Sequence, residues 1–439
     1  MDTGSLVGTA IGLMVVMIAI RVPIAIAMFI CGAGGYVALA GWVPLLAYLK
    51  SAPYATLSSY SLSVVPLFLM MGHLATRSGL SKALFAAANA ALGKRKGGLS
   101  LAAIGGCGMF GAICGSSLAT AATMGQVALP EMKRYQYSDA LATGTLAAGG
   151  TLGILIPPSV VLVIYAIITE QNVAKMFLAA FVPGIMAMFG YMIAISIYVR
   201  LYPDSAPASA PMTRAEKRSA YIGSLPAVAI FVLVIGGIYA GVFTPTEAAA
   251  FGVVGTGIIA FAHGMRLKGL IDSMSGTAVS SAMIFMILIG ADMFNAFLAR
   301  SQVPQSLAAY MGGLDLAPML ILVAILLMYL ILGCLMDSLS MILLTIPIFF
   351  PIIMGLDFGL SPEDTAIWFG IITLIVVEVG LITPPIGMNV FVINKLAQGV
   401  PMSDTFHGVV PFLISDIIRV AILLVFPILT LGLMRLFWS

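Results

Sequence analysis

The sequence predicts an all-α polytopic membrane protein of two inverted repeats, each holding a re-entrant helical hairpin and a helix interrupted by a Pro-Pro pair. Three observations carry this. The 439 residues are 61% hydrophobic and only 8% charged, with a mean hydropathy of +1.13; several membrane spans need such a ratio and no soluble core does. One stretch occurs twice, as Gly-Ile-Leu-Ile-Pro-Pro-Ser at 153–159 and Gly-Leu-Ile-Thr-Pro-Pro-Ile at 380–386. The basic residues, finally, fall mostly on one side of the span count.

In chain order, runs at 6–20, 22–41 and 57–76 approach the ~20 residues that a crossing needs. The first reads as a retained span rather than a cleaved leader, because no basic residue precedes it and the first is Arg21. Residues 81–93 are too short to cross and are placed along the interface as an arm. After Lys94-Arg95-Lys96, the segment 98–130 is rich in Gly, Ala and Ser and breaks at Cys114-Gly115-Ser116-Ser117. Basic residues on both flanks, ending with Lys133 and Arg134, make it a hairpin that enters and returns to the same side. Span 138–170 carries the first Pro-Pro pair, and span 174–199 leads to a Pro/Ala/Ser-rich solvated linker, Pro203 to Arg218.

The second half repeats this order. Spans at 220–243, 247–263 and 275–299 precede a short segment, 303–313, that answers the first arm. The run 317–353 breaks at Gly333–Ser338, 365–397 carries the second Pro-Pro pair, and 408–435 is the last span. Thr244-Pro245-Thr246-Glu247 reads as a helix start, with Thr244 as cap and Glu247 at the third helical position. Placing Lys94–Lys96 in the cytoplasm puts all but five of the 20 Lys and Arg inside: Lys50, Lys175, Arg300 and Arg435 fall outside, and Arg419 lies within the last span. This is the positive-inside pattern. It sets the N-terminus outside and brings the two hairpins in from opposite leaflets, the inverted topology that permits alternating access.

The Pro-Pro pairs locate the chemistry. Proline has no N–H to give and opposes the carbonyl four residues back, so Pro157 and Pro384 free the carbonyls of Gly153 and Gly380. Pro158 and Pro385 likewise free those of Ile154 and Leu381. In hydrocarbon a free carbonyl persists only where protein, water or an ion satisfies it, and two matching breaks mark the binding site of a secondary transporter. The donors are hard oxygens without fixed charge, which suit sodium. One expected sodium site uses Gly115, Ser116 and Ser117 with Gly153, Ile156 and Pro158; the other uses Gly333 and Leu335 with Gly380, Thr383 and Ile386. For each serine the alternative is an interhelical hydrogen bond.

Half-helix N-termini after each break favour an anionic substrate, with Ser116, Ser117, Thr383, Asn389 and Asp337 as its expected contacts. Asp337 has three open roles: to cap the returning half-helix, to ligate a cation, or to be protonated during transport. Glu378, Asp292 and Arg419 lie within spans and need partners. Cys31, Cys107, Cys114 and Cys334 lie singly in apolar runs, and His73, His263 and His407 are scattered, so neither a disulfide framework nor a zinc site is expected. No HExxH, Walker A sequence or nucleophile–base pair occurs, and a net charge of +3 implies no nucleic-acid partner. The expectation is a transporter, not an enzyme, driven by an ion gradient or by another subunit.

At five stretches, Gly111–Ser117, Leu129–Met132, Gly153–Ser159, Gly241–Ala248 and Ile382–Asn389, the sequence resembles the large membrane (M) subunit of tripartite ATP-independent periplasmic (TRAP) transporters, of the DctM/SiaM type. Cys114 departs from it, standing where that family often has a serine. The resemblance implies a small four-helix membrane subunit and a periplasmic substrate-binding protein as partners, and a bacterial inner membrane with its lipid as the setting. It also implies sodium-driven elevator transport of an organic acid such as a C4-dicarboxylate, sialic acid or another sugar acid. By the same resemblance, 98–170 and 314–398 form the moving transport domain. Residues 1–97, 171–313 and 399–439 then form the scaffold with its arms. A stand-alone sodium/dicarboxylate symporter, a passive channel, and an intramembrane enzyme using Asp292, Asp337 or Glu378 are the rival readings.

Overall fold

Apolar runs punctuated by Gly, Pro and short polar caps fold as helices throughout. The computed structural model describes residues 3–207, 212–306 and 317–438, and no strand occurs among them. The first half comprises α1 (Thr3–Ala19), α2 (Ile24–Ala40), α3 (Trp42–Leu57), α4 (Val64–Arg77) and α5 (Leu80–Leu92). Hairpin 1 is α6 (Gly98–Cys114) with α7 (Ser117–Arg134), and the first broken helix is α8 (Asp139–Leu155) with α9 (Val160–Ile168), followed by α10 (Val173–Leu201). The second half comprises α11 (Arg214–Phe231, extended by a π-turn to Tyr239), α12 (Pro245–Ala262) and α13 (Leu267–Ser301). Hairpin 2 is α14 (Pro318–Gly333) with α15 (Ser338–Met354), the second broken helix is α16 (Pro362–Gly380) with α17 (Met388–Ala397), and α18 (Met402–Val425) and α19 (Ile428–Phe437) close the chain.

Among the described residues five helices are long and apolar enough to cross a membrane: α10, α11 with its extension, α12, α13 and α18. Two bent pairs raise the number to seven, residues 42–77 with a 48° bend and α8/α9 with a 43° bend. The protein is a multi-pass membrane protein.

Several boundaries differ from the sequence expectation, each for a local reason. Helix α3 is unforeseen because Lys50, Ser51 and Pro53 interrupt its apolar pattern. Gly41, at φ +86°, turns the chain out of α2 and into it. The charged end of the linker is already helical, because Thr213 accepts from the Glu216 N–H while the Glu216 carboxylate accepts from the Thr213 N–H at 2.7 Å. This reciprocal capping box stabilises a helix start, and the same device at Thr244 and Glu247 opens α12 as expected. The last span is two helices, since Pro427 cannot donate to the ladder and Phe426 is extended out of it. The short helix α5 has one face buried against α6 and α11. Most of the second arm, residues 307–313 of 303–313, lies outside the described residues.

The helices pack as two groups. In one, α2 crosses α13, and α4 packs on α12 and α13. In the other, hairpin 1 lies along α8, and hairpin 2 along α16. The half-helix α17 of the second repeat packs on α7 and α8 of the first, while α9 packs on α15 and α16, so the repeats interlock. Helices α10 and α18 join this second group through α8 and α16. Gly144 and Gly408 let the α8 and α18 backbones touch, since a Cβ on either would meet the other helix's backbone; small residues are what permits such approach in a membrane.

Ion pairs report on topology. Arg77 meets Asp272 at 3.5 Å, Lys175 meets Glu363 at 2.5 Å, and Arg435 meets Asp364 at 2.7 Å. Each is partly exposed and worth under about 1 kcal/mol. Each nevertheless joins helix ends that the charge count assigns to one side, in agreement with the relative directions of the spans.

Candidate functional site

At hairpin 1 the chain must reverse within two residues. Gly115 does so at φ +66°, a conformation that favours glycine, and Ser116 then caps α7 by accepting from the Ala119 N–H at 3.4 Å. The tip rests directly on the first Pro-Pro break. A Cβ on Gly115 would lie 3.0 Å from the Pro158 carbonyl, and one on Gly153 would lie 2.7 Å from the Ser116 carbonyl and collide with Thr120. Gly115, Ser116, Gly153, Ile156 and Pro158 are therefore brought together, all but Ser116 buried. Among the described residues no hydrogen bond reaches the carbonyls of Gly153 or Ile154. Thr120, unforeseen from sequence, adds a buried hydroxyl without a hydrogen-bond partner among those residues, beside the Cys114 thiol. Bare carbonyls and an orphan hydroxyl are a donor set that fits a small hard cation.

The second site is built differently. Gly333 and Gly380 bring the hairpin 2 tip onto α16, a Cβ on Gly380 falling 2.6 Å from the Gly333 Cα. However, the Gly380 carbonyl accepts from the Thr383 N–H at 3.1 Å, and the Leu381 carbonyl accepts from the Asn389 N–H at 3.0 Å. The expectation that this break leaves both carbonyls free does not hold. After Gly380 the chain winds back tightly enough for later N–H groups to reach them. The Thr383 hydroxyl donates to the Val379 carbonyl at 2.7 Å, so only its lone pairs are available to a cation. Leu335 and Ile386 are 54% and 44% exposed, and the Pro384-Pro385 turn is open where Pro157-Pro158 is enclosed. Both Pro-Pro bonds are cis.

Of the three roles open to Asp337, capping is the one seen: its carboxylate accepts from the Ser340 N–H at 3.0 Å, at the start of α15. Asn389 is fully buried against the first repeat. Its side-chain amide donates to the Ala147 carbonyl at 3.3 Å, and its Oδ1 has no partner among the described residues.

The residue that sequence reasoning left without partners holds the centre. Glu378 is fully buried on α16, and its two carboxylate oxygens accept from two different hairpins: Oε2 from the Ser117 hydroxyl, and Oε1 from the Ser338 hydroxyl at 2.6 Å. Ser117 and Ser338 are the first residues of the returning half-helices α7 and α15, so two partially positive helix ends face one carboxylate. No Lys, Arg or His makes a contact ion pair with it among the described residues. The signal available in sequence was an ionisable residue inside a span, two positions before the Gly380 of the repeated motif.

A second buried cluster lies within Coulombic range of Glu378. Arg419 pairs with Asp416 at 2.8 Å, Asp416 accepts from the Tyr191 hydroxyl at 2.8 Å, and Tyr191 meets Thr151 at 3.0 Å. Thr151 stands two positions before Gly153, the place that Glu378 holds before Gly380. With Glu378 and Asp416 ionised, their two negative charges against the one of Arg419 leave the region a net −1. Asp292, the third such residue, accepts from the Tyr48 hydroxyl at 2.8 Å.

Residues 11–429 match the family model described as the DctM component of the tripartite ATP-independent periplasmic transporters. The chain belongs to this family. It is 36% identical to the C4-dicarboxylate TRAP transporter large permease protein DctM of Pseudomonas aeruginosa, over 87% of each chain. It is 31% identical to the sialic acid TRAP transporter large permease protein SiaM of Vibrio cholerae, over 87% of this chain and 88% of that one. Among solved structures, the YdaH transporter of Alcanivorax borkumensis shares the fold at a TM-score of 0.64 and 16% identity, over 88% of this chain and 89% of that one. As a DctM component the protein is a permease and not an enzyme, one part of a tripartite transport system.

Proposed function

We propose that this permease carries a small organic anion, of the C4-dicarboxylate, sialic acid or sugar acid class, into the cell in symport with sodium. A periplasmic binding protein delivers the ligand, and a small four-helix subunit completes the complex in the bacterial inner membrane, with the N-terminus in the periplasm. The observation that carries the reading is the first break. The hairpin 1 tip rests on a break that leaves two carbonyls bare, the Thr120 hydroxyl beside it has no hydrogen-bond partner among the described residues, and Ser117 at the tip bonds Glu378. A cation there offsets carbonyl dipoles that accept no hydrogen bond among the described residues. Gly380, Thr383, Ile386, Gly333 and Leu335 supply the second sodium site through their remaining lone pairs, and Ser116, Thr383 and Asp337 line the anion's path. Buried Asn389 serves the anion by holding α8 in place.

An elevator motion suits two hairpins interlocked with two broken helices, which form one body able to move as a unit. Because α10 and α18 pack on that body through α8 and α16, they travel with it, although the resemblance alone assigns them to the scaffold. The deciding experiment is uptake into proteoliposomes from a panel of radiolabelled organic acids, leaving out sodium and the binding protein in turn. Uptake of one acid should need both. Uptake indifferent to sodium would remove the symport reading, and uptake without the binding protein would favour a stand-alone symporter.

A further inference from the structure

Resting on the sodium reading, we infer that Glu378 is a positioning residue that ties the two sodium sites together, so that filling one prepares the other. The geometry is specific. One rigid planar carboxylate gives one oxygen to Ser117 of hairpin 1 and the other to Ser338 of hairpin 2, residues 221 positions apart that open equivalent half-helices. Hydrogen bonds to an ionised acceptor are the short and strong ones, and both serines are buried. Each sodium site needs its hairpin tip seated on its own broken helix, Gly115 and Ser116 on Gly153 and Pro158, and Gly333 on Gly380. Glu378 lies on the second broken helix, yet holds the first hairpin. Seating either tip therefore fixes the carboxylate that the other tip must meet.

Charge completes the coupling. The carboxylate has no contact ion pair among the described residues, and with Glu378 and Asp416 ionised the region carries a net −1 against the one positive charge of Arg419. A single negative group between two cation sites lowers the repulsion that a second sodium would meet from the first. Ser338 touches this carboxylate and belongs to neither sodium ligand set, so it reports the tie alone.

The test is sodium binding to the full chain in nanodiscs, followed by titration calorimetry, with choline replacing sodium to keep ionic strength constant. The wild-type protein should bind sodium with a Hill coefficient above 1. Glu378→Gln should bind with a Hill coefficient of 1 and a half-saturating concentration raised about tenfold or more. Glu378→Asp keeps the charge but is one methylene too short to reach both serines; it should lose the cooperativity while keeping most of the affinity. Ser338→Ala should lose cooperativity without losing folded protein. A merely structural role would lower the melting temperature and leave the Hill coefficient alone. Cooperative sodium binding unchanged in Glu378→Gln, or in Ser338→Ala should the former not fold, overturns the tie and leaves the symport reading standing. No sodium binding to the wild-type protein overturns both.

Discussion

Replacing Thr120 with valine separates an ion ligand from a packing residue by the sign of its effect. Both side chains are β-branched and nearly isosteric, so α7 keeps its rotamer and the site keeps its volume. The Thr120 hydroxyl is buried and has no hydrogen-bond partner among the described residues, and an unpaired buried hydroxyl costs about 1–3 kcal/mol. In sodium-free buffer, Thr120→Val should therefore be more stable than wild type by roughly that amount. Sodium should narrow that difference. At one hundred times its dissociation constant a ligand stabilises by about 2.7 kcal/mol. If losing one oxygen ligand weakens sodium tenfold, about 1.4 kcal/mol, the sodium-induced stabilisation of the variant falls to about half. The assay is thermal unfolding of the detergent-solubilised protein across a sodium series balanced with choline. A variant that is less stable without sodium, with an undiminished sodium response, would refute the assignment of Thr120 to the site.

Three further outcomes test other parts of the structure. Gly153→Ala should drive a methyl into the Ser116 carbonyl and the Thr120 side chain, costing about 1–3 kcal/mol as overpacking and raising the sodium concentration for half-maximal uptake; wild-type sodium dependence would mean that the tip and the break do not meet. Asp416→Asn should destabilise by about 3–5 kcal/mol because it strands a buried Arg419, whose Nε and Nη1 already lack partners, whereas the joint change Asp416→Leu with Arg419→Met should cost less in the same melting assay. Gly408→Ala should push α18 off the Ala140 backbone and lower the melting temperature by a comparable overpacking term.

The sequence by itself determined the class, most of the helices, both hairpins and both interrupted spans. Those features arise from short-range causes: partition of apolar runs into hydrocarbon, the missing N–H of proline, and capping by Ser116, Asp337, Thr213 and Thr244. Even its errors were local, as at α3, where Lys50 and Pro53 hide a helix, and at Pro427, which splits the last span. The tertiary structure alone decided which groups meet. Nothing near Glu378 in sequence shows that it bonds Ser117, 261 positions away, or that Asn389 faces Ala147 across the repeats. Nor could proline content alone show that the Gly153 and Ile154 carbonyls stay bare while those of Gly380 and Leu381 are taken by Thr383 and Asn389. A proline removes a donor wherever it stands. Whether another donor replaces it depends on how the following residues fold back, and that is set by the helices packed around the break.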